Sequence, residues 1–187
     1  MEVLQMRVYL VEIAESAHFA VLMRKRFLEM MEHPENRQLT SVWMTLQAAL
    51  ISYGSVSRFL FPPKNEATAK MRGEQLRLEL DVSVNSPLKN RDARNAVEHF
   101  DERLDRCLER PDAGIMQMVF QNRSSYEYLN PDRWIVRRAY IVDEDIFITE
   151  GKTVGSRVEM PLGEIFAELD RVHAITEELL MTKYRMY

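Results

Sequence analysis

Lys89-Asn90-Arg91-Asp92-Ala93-Arg94-Asn95-Ala96-Val97-Glu98-His99-Phe100-Asp101-Glu102-Arg103-Leu104 is the stretch on which the reading of this chain turns. Ala93, Val97, Phe100, Leu104, Cys107 and Leu108 recur at intervals of three and four, which predicts an amphipathic helix with one side in a core. At about 100° per residue, Asp92, Asn95, His99, Arg103 and Arg106 fall on a second face that is polar from end to end. Arginines, an amide, carboxylates and one histidine on a few turns make it the first place to look for chemistry.

Upstream, the residues from about Val3 to Glu32 hold no Gly or Pro, and Leu10, Ile13, Ala14, Ala17, Val21, Arg24, Leu28 and Met31 track one face. His33-Pro34-Glu35-Asn36 ends this helix, because Pro disfavours helical geometry in the residue before it. A second helix is predicted from Arg37 or Leu39 to Phe59, with Leu39, Val42, Trp43, Leu46, Ala49, Leu50 and Tyr53 inward, stopping at Phe61-Pro62-Pro63. Asn65-Glu66-Ala67-Thr68 opens a third, formed by Met71, Leu76, Leu78 and Leu80. Asn85-Ser86-Pro87 separates it from the fourth, with Ser86 as cap and Pro87 in the first turn.

Downstream of Arg110-Pro111-Asp112-Ala113-Gly114 the texture changes. Ile115 to Phe120 is strand-like, and Asn122 to Asp132 is a polar, aromatic loop. Trp134-Ile135-Val136, Ala139-Tyr140-Ile141-Val142, Ile146-Phe147-Ile148-Thr149 and Thr153-Val154 are β-branched and aromatic runs separated by Asp143-Glu144 and Glu150-Gly151-Lys152. A small antiparallel meander is expected. After Met160-Pro161 a last helix follows, its core face given by Leu162, Ile165, Phe166, Leu169, Val172, Ile175, Leu179 and Leu180.

Arg94-Asn95-Ala96-Val97-Glu98-His99 is an Arg with a polar residue directly after it and a His beyond, four residues lying between Arg and His. In this position, after three helical segments and ahead of a last one, it resembles the signature of the HEPN family (higher eukaryotes and prokaryotes nucleotide-binding domains). With the helical pattern, the resemblance gives a mainly α fold: an antiparallel HEPN-like bundle of about five helices, with the β meander at about 115–160 inserted before the last helix. Residues 1–187 are read as one domain. The resemblance implies a metal-independent endoribonuclease of toxin or defence type that needs no cofactor, with Arg94 and His99 catalytic and Asn95 in support. Arg91, Asp92, Glu98, Glu102 and Arg103 complete the polar face.

The chemistry suits those residue types. A ribose 2′-hydroxyl must lose a proton as it attacks phosphorus, the phosphorane charge must be stabilised, and the leaving 5′-oxygen must gain a proton. Imidazole, with an unperturbed pKa of about 6.5, serves as base or acid near neutrality. Guanidinium offers a planar charged fork to phosphate oxygens. On a regular helix five steps turn His99 about 140° from Arg94, so one chain's pair flanks the core stripe without converging. HEPN proteins are typically dimers whose signatures meet at the interface, and a homodimer is therefore expected. The plain alternative makes Arg94 a surface arginine paired with Glu98 and His99 a boundary histidine.

Composition bounds the rest. A chain of 187 residues that is 46% apolar can bury the core of one domain. With Cys107 as the only cysteine, there is no intrachain disulfide and no cysteine-rich metal site, which favours a reducing, cytoplasmic setting. The first apolar stretch is broken by Glu12, Glu15 and His18, so neither an export signal nor a membrane span is expected. A net charge of −4 argues against a dedicated duplex-DNA binder. The partners to expect are an RNA substrate and an antitoxin or other protein. Two rivals remain: a catalytically inactive HEPN-like dimerisation or partner-binding protein, and, remotely, a di-metal carboxylate bundle built on Glu15-Ser16-Ala17-His18, which lacks a second matching motif. Arg24-Lys25-Arg26 and Arg137-Arg138 are read as small basic clusters on a solvated face.

Overall fold

The computed structural model describes residues 1–33, 38–63, 67–90, 94–95, 99, 102, 104–105, 108–109, 114–129, 133–151, 153 and 156–185. Two compact units emerge, Met1–Asn90 with Glu164–Tyr187, and Arg91–Gly163. Mainly helical, the chain has five α-helices among the described residues and a four-stranded sheet before the last of them.

The first unit is built from α1 (Val3–Glu32), α2 (Leu39–Leu60), α3 (Ala67–Glu79) and the returning helix α5 (Leu162–Met181), whose first two residues belong to the other unit. The buried seam of α1 differs from the expected one. Leu10, Ala17, Arg24 and Met31 alternate with Ile13, Ala20 and Phe27 in a seven-residue repeat, so Phe27 is fully buried and Leu28 turns outward. Arg7 donates to the Tyr184 carbonyl, the rings of His18 and His173 lie 5.2 Å apart, and the Arg24 guanidinium lies 5.6 Å from the Phe166 ring. As one number rises the other falls, so α1 and α5 run antiparallel. On another side of α1, Tyr9 meets Phe59 of α2 edge to face at 5.9 Å.

α3 is the least apolar of these helices. Leu76 is buried as expected, but Met71 and Leu78 are exposed and Gly73 takes an inward position. The helix ends at a left-handed Asp81 (φ 51°), with the Val82 amide donating back to the Arg77 carbonyl at 2.8 Å. Ser86 does act as a cap, its hydroxyl accepting from the Leu88 amide at 3.3 Å, but what it caps is a three-residue 3-10 turn, Pro87–Lys89. Leu39 of α2 is exposed, while Val42, Trp43, Leu46, Ala49, Leu50 and Tyr53 are buried as expected. No helix of the described residues is long and apolar enough to cross a membrane.

The second unit holds β1 (Gly114–Phe120), α4 (Arg123–Glu127), β2 (Trp134–Ile141), β3 (Ile146–Glu150) and β4 (Arg157–Pro161), in spatial order β1-β2-β3-β4. β2, β3 and β4 form the antiparallel meander expected. β1 corrects the expectation, since it pairs with β2 in parallel. Parallel neighbours need a crossover of roughly a dozen residues, and the supposed loop after Phe120 supplies it, folding in part into α4. Asn122 starts that helix, its carboxamide oxygen accepting from the Ser125 amide at 3.0 Å. The last strand begins at Arg157, later than the Thr153-Val154 run. Thr153 sits in a bend, and Val154 is outside the described residues.

The pairing of β1 with β2 shifts between Met116/Val136 and Gln117/Arg138, which leaves Arg137 as a bulge. The extra residue keeps Val136 on the same face as Ala139 and Ile141 despite the odd spacing. Those three form one core with Phe120, Tyr126 and Ile148.

Candidate functional site

Arg94 and Asn95 are helical, and the His99 amide donates to the Asn95 carbonyl at 3.0 Å, the i to i−4 bond of a helical turn. His99 therefore lies one turn beyond Asn95 on the same side. Its side chain is 52% exposed, and Nδ1 sits 3.1 Å from Oε1 of Glu102, itself 61% exposed. An ionised carboxylate only accepts, so the imidazole donates through Nδ1–H, which in the neutral ring leaves the lone pair on Nε2. Asn95 is half-buried.

Arg94 is only 5% exposed. The reading of it as a surface arginine is thereby overturned, and the buried arginine and the exposed histidine of one chain occupy different environments. Arg91, Asp92, Glu98 and Arg103 of the polar face lie outside the described residues, as do Ala93, Val97, Phe100 and Cys107 of the apolar stripe. Of that stripe, Leu104 is half-buried and Leu108 is 60% exposed, so the expected core face does not extend to Leu108.

The two basic clusters are not uniformly solvated either. Arg24 is buried between the rings of Phe27 and Phe166. Arg138 is buried on β2, and desolvation, helped by the neighbouring Arg137 charge, pulls its pKa down to about 10. The Glu15/His18 candidate gains a neighbour across the helices, since the His18 and His173 rings touch, with Glu177 3.9 Å from His173. The described residues contain no group of three or more His, Cys, Asp or Glu arranged to hold a metal ion.

A second polar cluster, which the sequence did not reveal, lies in the sheet unit. Arg123 of α4 grips Glu144 through Nε at 2.9 Å and Nη2 at 2.7 Å, and grips Glu159 of β4 through both terminal nitrogens at 3.0 and 2.9 Å. These bonds raise the Arg123 pKa above its ordinary value and lower that of Glu159. Beside them the Arg157 guanidinium covers the Tyr126 ring at 4.9 Å and bonds its hydroxyl, while burial pushes the tyrosine pKa up. With both of its carboxylates bound to one arginine, this cluster is a clamp between α4, the β2–β3 turn and β4. The partners are 21 and 36 residues apart in sequence, beyond any local pattern. No family model, curated protein or solved structure matches this chain.

Proposed function

We propose that this chain is a HEPN-like, metal-independent endoribonuclease of toxin or defence type, working in the cytoplasm as a homodimer with RNA as substrate and an antitoxin or other protein as partner. The observation that carries the reading is the exposed His99 ring with Nδ1 held by Glu102 at 3.1 Å. A carboxylate that fixes one imidazole nitrogen leaves the other free to exchange protons, and it steadies the imidazolium that forms. His99 Nε2 takes the proton of the ribose 2′-hydroxyl as that oxygen bonds to phosphorus. The bond from phosphorus to the 5′-oxygen then breaks, that oxygen leaves with the proton returned by the His99 imidazolium, and a 2′,3′-cyclic phosphate remains. Arg94 and Asn95 complete the signature, and the dimer brings the two copies of it together.

The burial of Arg94 favours a second reading, in which this arginine holds the fold and the exposed His99 and Glu102, with the half-buried Asn95 beside them, bind a partner without catalysis. One experiment separates the two. Purified protein is incubated with a broad RNA panel with and without chelator, next to His99→Ala and Arg94→Ala, and light scattering gives the mass of each. The nuclease reading expects chelator-resistant cleavage to cyclic phosphate ends by a dimer. It also expects a loss of about 10²–10⁴-fold in a folded His99→Ala, the usual contribution of a positioned acid or base. No cleavage by wild type, or equal cleavage by folded His99→Ala, overturns it.

A further inference from the structure

The first turns of α1 and the middle of α3 enclose a groove of about 460 Å³, a size within the range of small-molecule pockets, about 300–1,000 Å³. Leu4, Val8 and Met71 line it while being 65%, 53% and 59% exposed, and Thr68 and Gln75 add hydrogen-bonding groups. Arg72 also lines it. Its guanidinium carbon lies 5.3 Å from the Tyr9 ring centre and 5.9 Å from that of Phe59. Nε is buried and has no hydrogen-bond partner among the described residues. Three other arginines of the helical unit have acceptors: Arg7 the Tyr184 carbonyl, Arg77 the Leu60 carbonyl, and Arg171 Glu168.

A guanidinium stacked on two rings and facing apolar walls, its buried Nε without an acceptor among the described residues, is an incomplete charge-assisted site. A buried donor of this kind is costly until an acceptor reaches it. The occupant that satisfies both halves has an anion of one charge joined to an alkyl chain. A carboxylate matches the arginine fork in geometry and in charge. We propose that this groove is a binding site for a fatty-acid-like alkyl carboxylate, its head on Arg72 and its chain along Leu4, Val8 and Met71.

Titration calorimetry of the full chain with dodecanoate, below its micelle concentration, tests this. Saturable binding is expected at one site per chain, with dodecanol and dodecyltrimethylammonium much weaker. Arg72→Met should weaken dodecanoate by about tenfold to a hundredfold, the value of a charged hydrogen bond of about 1.5–3 kcal/mol, and leave dodecanol unchanged. Because Arg72 also packs on aromatic rings, Leu4→Glu at the exposed rim is the second variant, and it should repel the anion without touching the core. The proposal is overturned if dodecanoate does not bind, if dodecyltrimethylammonium binds as tightly, or if a folded Leu4→Glu protein keeps wild-type affinity.

Discussion

Gly73→Ala pits two well-defined effects against each other. Gly73 lies inside α3, where Ala is preferred over Gly by about 1 kcal/mol from backbone entropy alone. Against this, a Cβ at position 73 would stand 2.7 Å from Cδ and 3.2 Å from Cγ of Pro62, and 2.9 Å from the Leu60 carbonyl oxygen. Carbon atoms in contact prefer about 3.5–4.0 Å, so the end of α2 would have to retreat by the better part of an ångström. Neither a proline ring nor a backbone carbonyl can rotate away. The Leu60 carbonyl is also held by Arg77 of α3, whose guanidinium stacks 4.9 Å from the Phe61 ring. Overpacking of this kind costs about 1–3 kcal/mol, which outweighs the entropic gain. Net destabilisation of about 1 kcal/mol is expected, or about 2–4 °C in Tm for a chain of this length. Urea titration followed by far-ultraviolet circular dichroism measures it. Lys70→Gly, at an exposed position of the same helix, serves as the control and should cost up to about 1 kcal/mol through propensity. If Gly73→Ala instead gains what Lys70→Gly loses, α2 and α3 do not approach as closely as described, and the packing argument is refuted.

Two further outcomes test other parts of the structure. Glu168 is mostly buried and receives Arg171 at 2.8 and 2.9 Å and the Ser86 hydroxyl at 3.1 Å, and the arginine bonds hold its pKa below the usual carboxylate range. A depressed folded-state pKa contributes stability above the unfolded value, about 4.3, and that contribution is lost as pH falls through the folded value. The advantage of wild type over Glu168→Gln should thus be constant above about pH 5 and shrink below it, and an advantage that grows on acidification would refute the assignment. Asn122→Ala should cost about 1 kcal/mol, as loss of an N-cap usually does, and amide exchange should rise at Ser125, whose amide loses its acceptor.

Much of the helical framework is legible in the sequence because its signals are local. The uninterrupted run from Val3 to Glu32, the prolines after Phe61 and the turn at Asp143-Glu144 mark element ends within a residue or two. What escaped was set elsewhere. Phe27 rather than Leu28 enters the core of α1 because the partner helix selects between adjacent residues on one edge. The direction of β1 escaped because alternation has the same period in parallel and antiparallel strands. Asn122 as a cap was hidden by the polarity of its surroundings, where a five-residue helix has no room to show periodicity. The plain alternative for Arg94, a surface arginine paired with Glu98, rests on its charge alone, and its burial defeats that alternative. Of the candidate site, residue types and spacing could be read, and the contact between His99 and Glu102 also falls within one helical turn. The clamp on Arg123 could not be read, since its partners meet only when the sheet has formed.

The antiparallel pairing of α1 with α5 has a consequence for the order in which the chain is made. Arg7, His18 and Arg24 meet Tyr184, His173 and Phe166, so the seam of α1 lacks its last neighbour until those late residues leave the ribosome. Synthesis runs at about 5–20 residues per second, so residues 91–163 impose a wait of several seconds during which that seam stays open. The sheet unit, contiguous in sequence, is under no such delay. A released chain truncated after Gly163 should therefore hold a protease-resistant sheet unit and a helical unit that is still cleavable in α1, whereas the full chain should resist cleavage there.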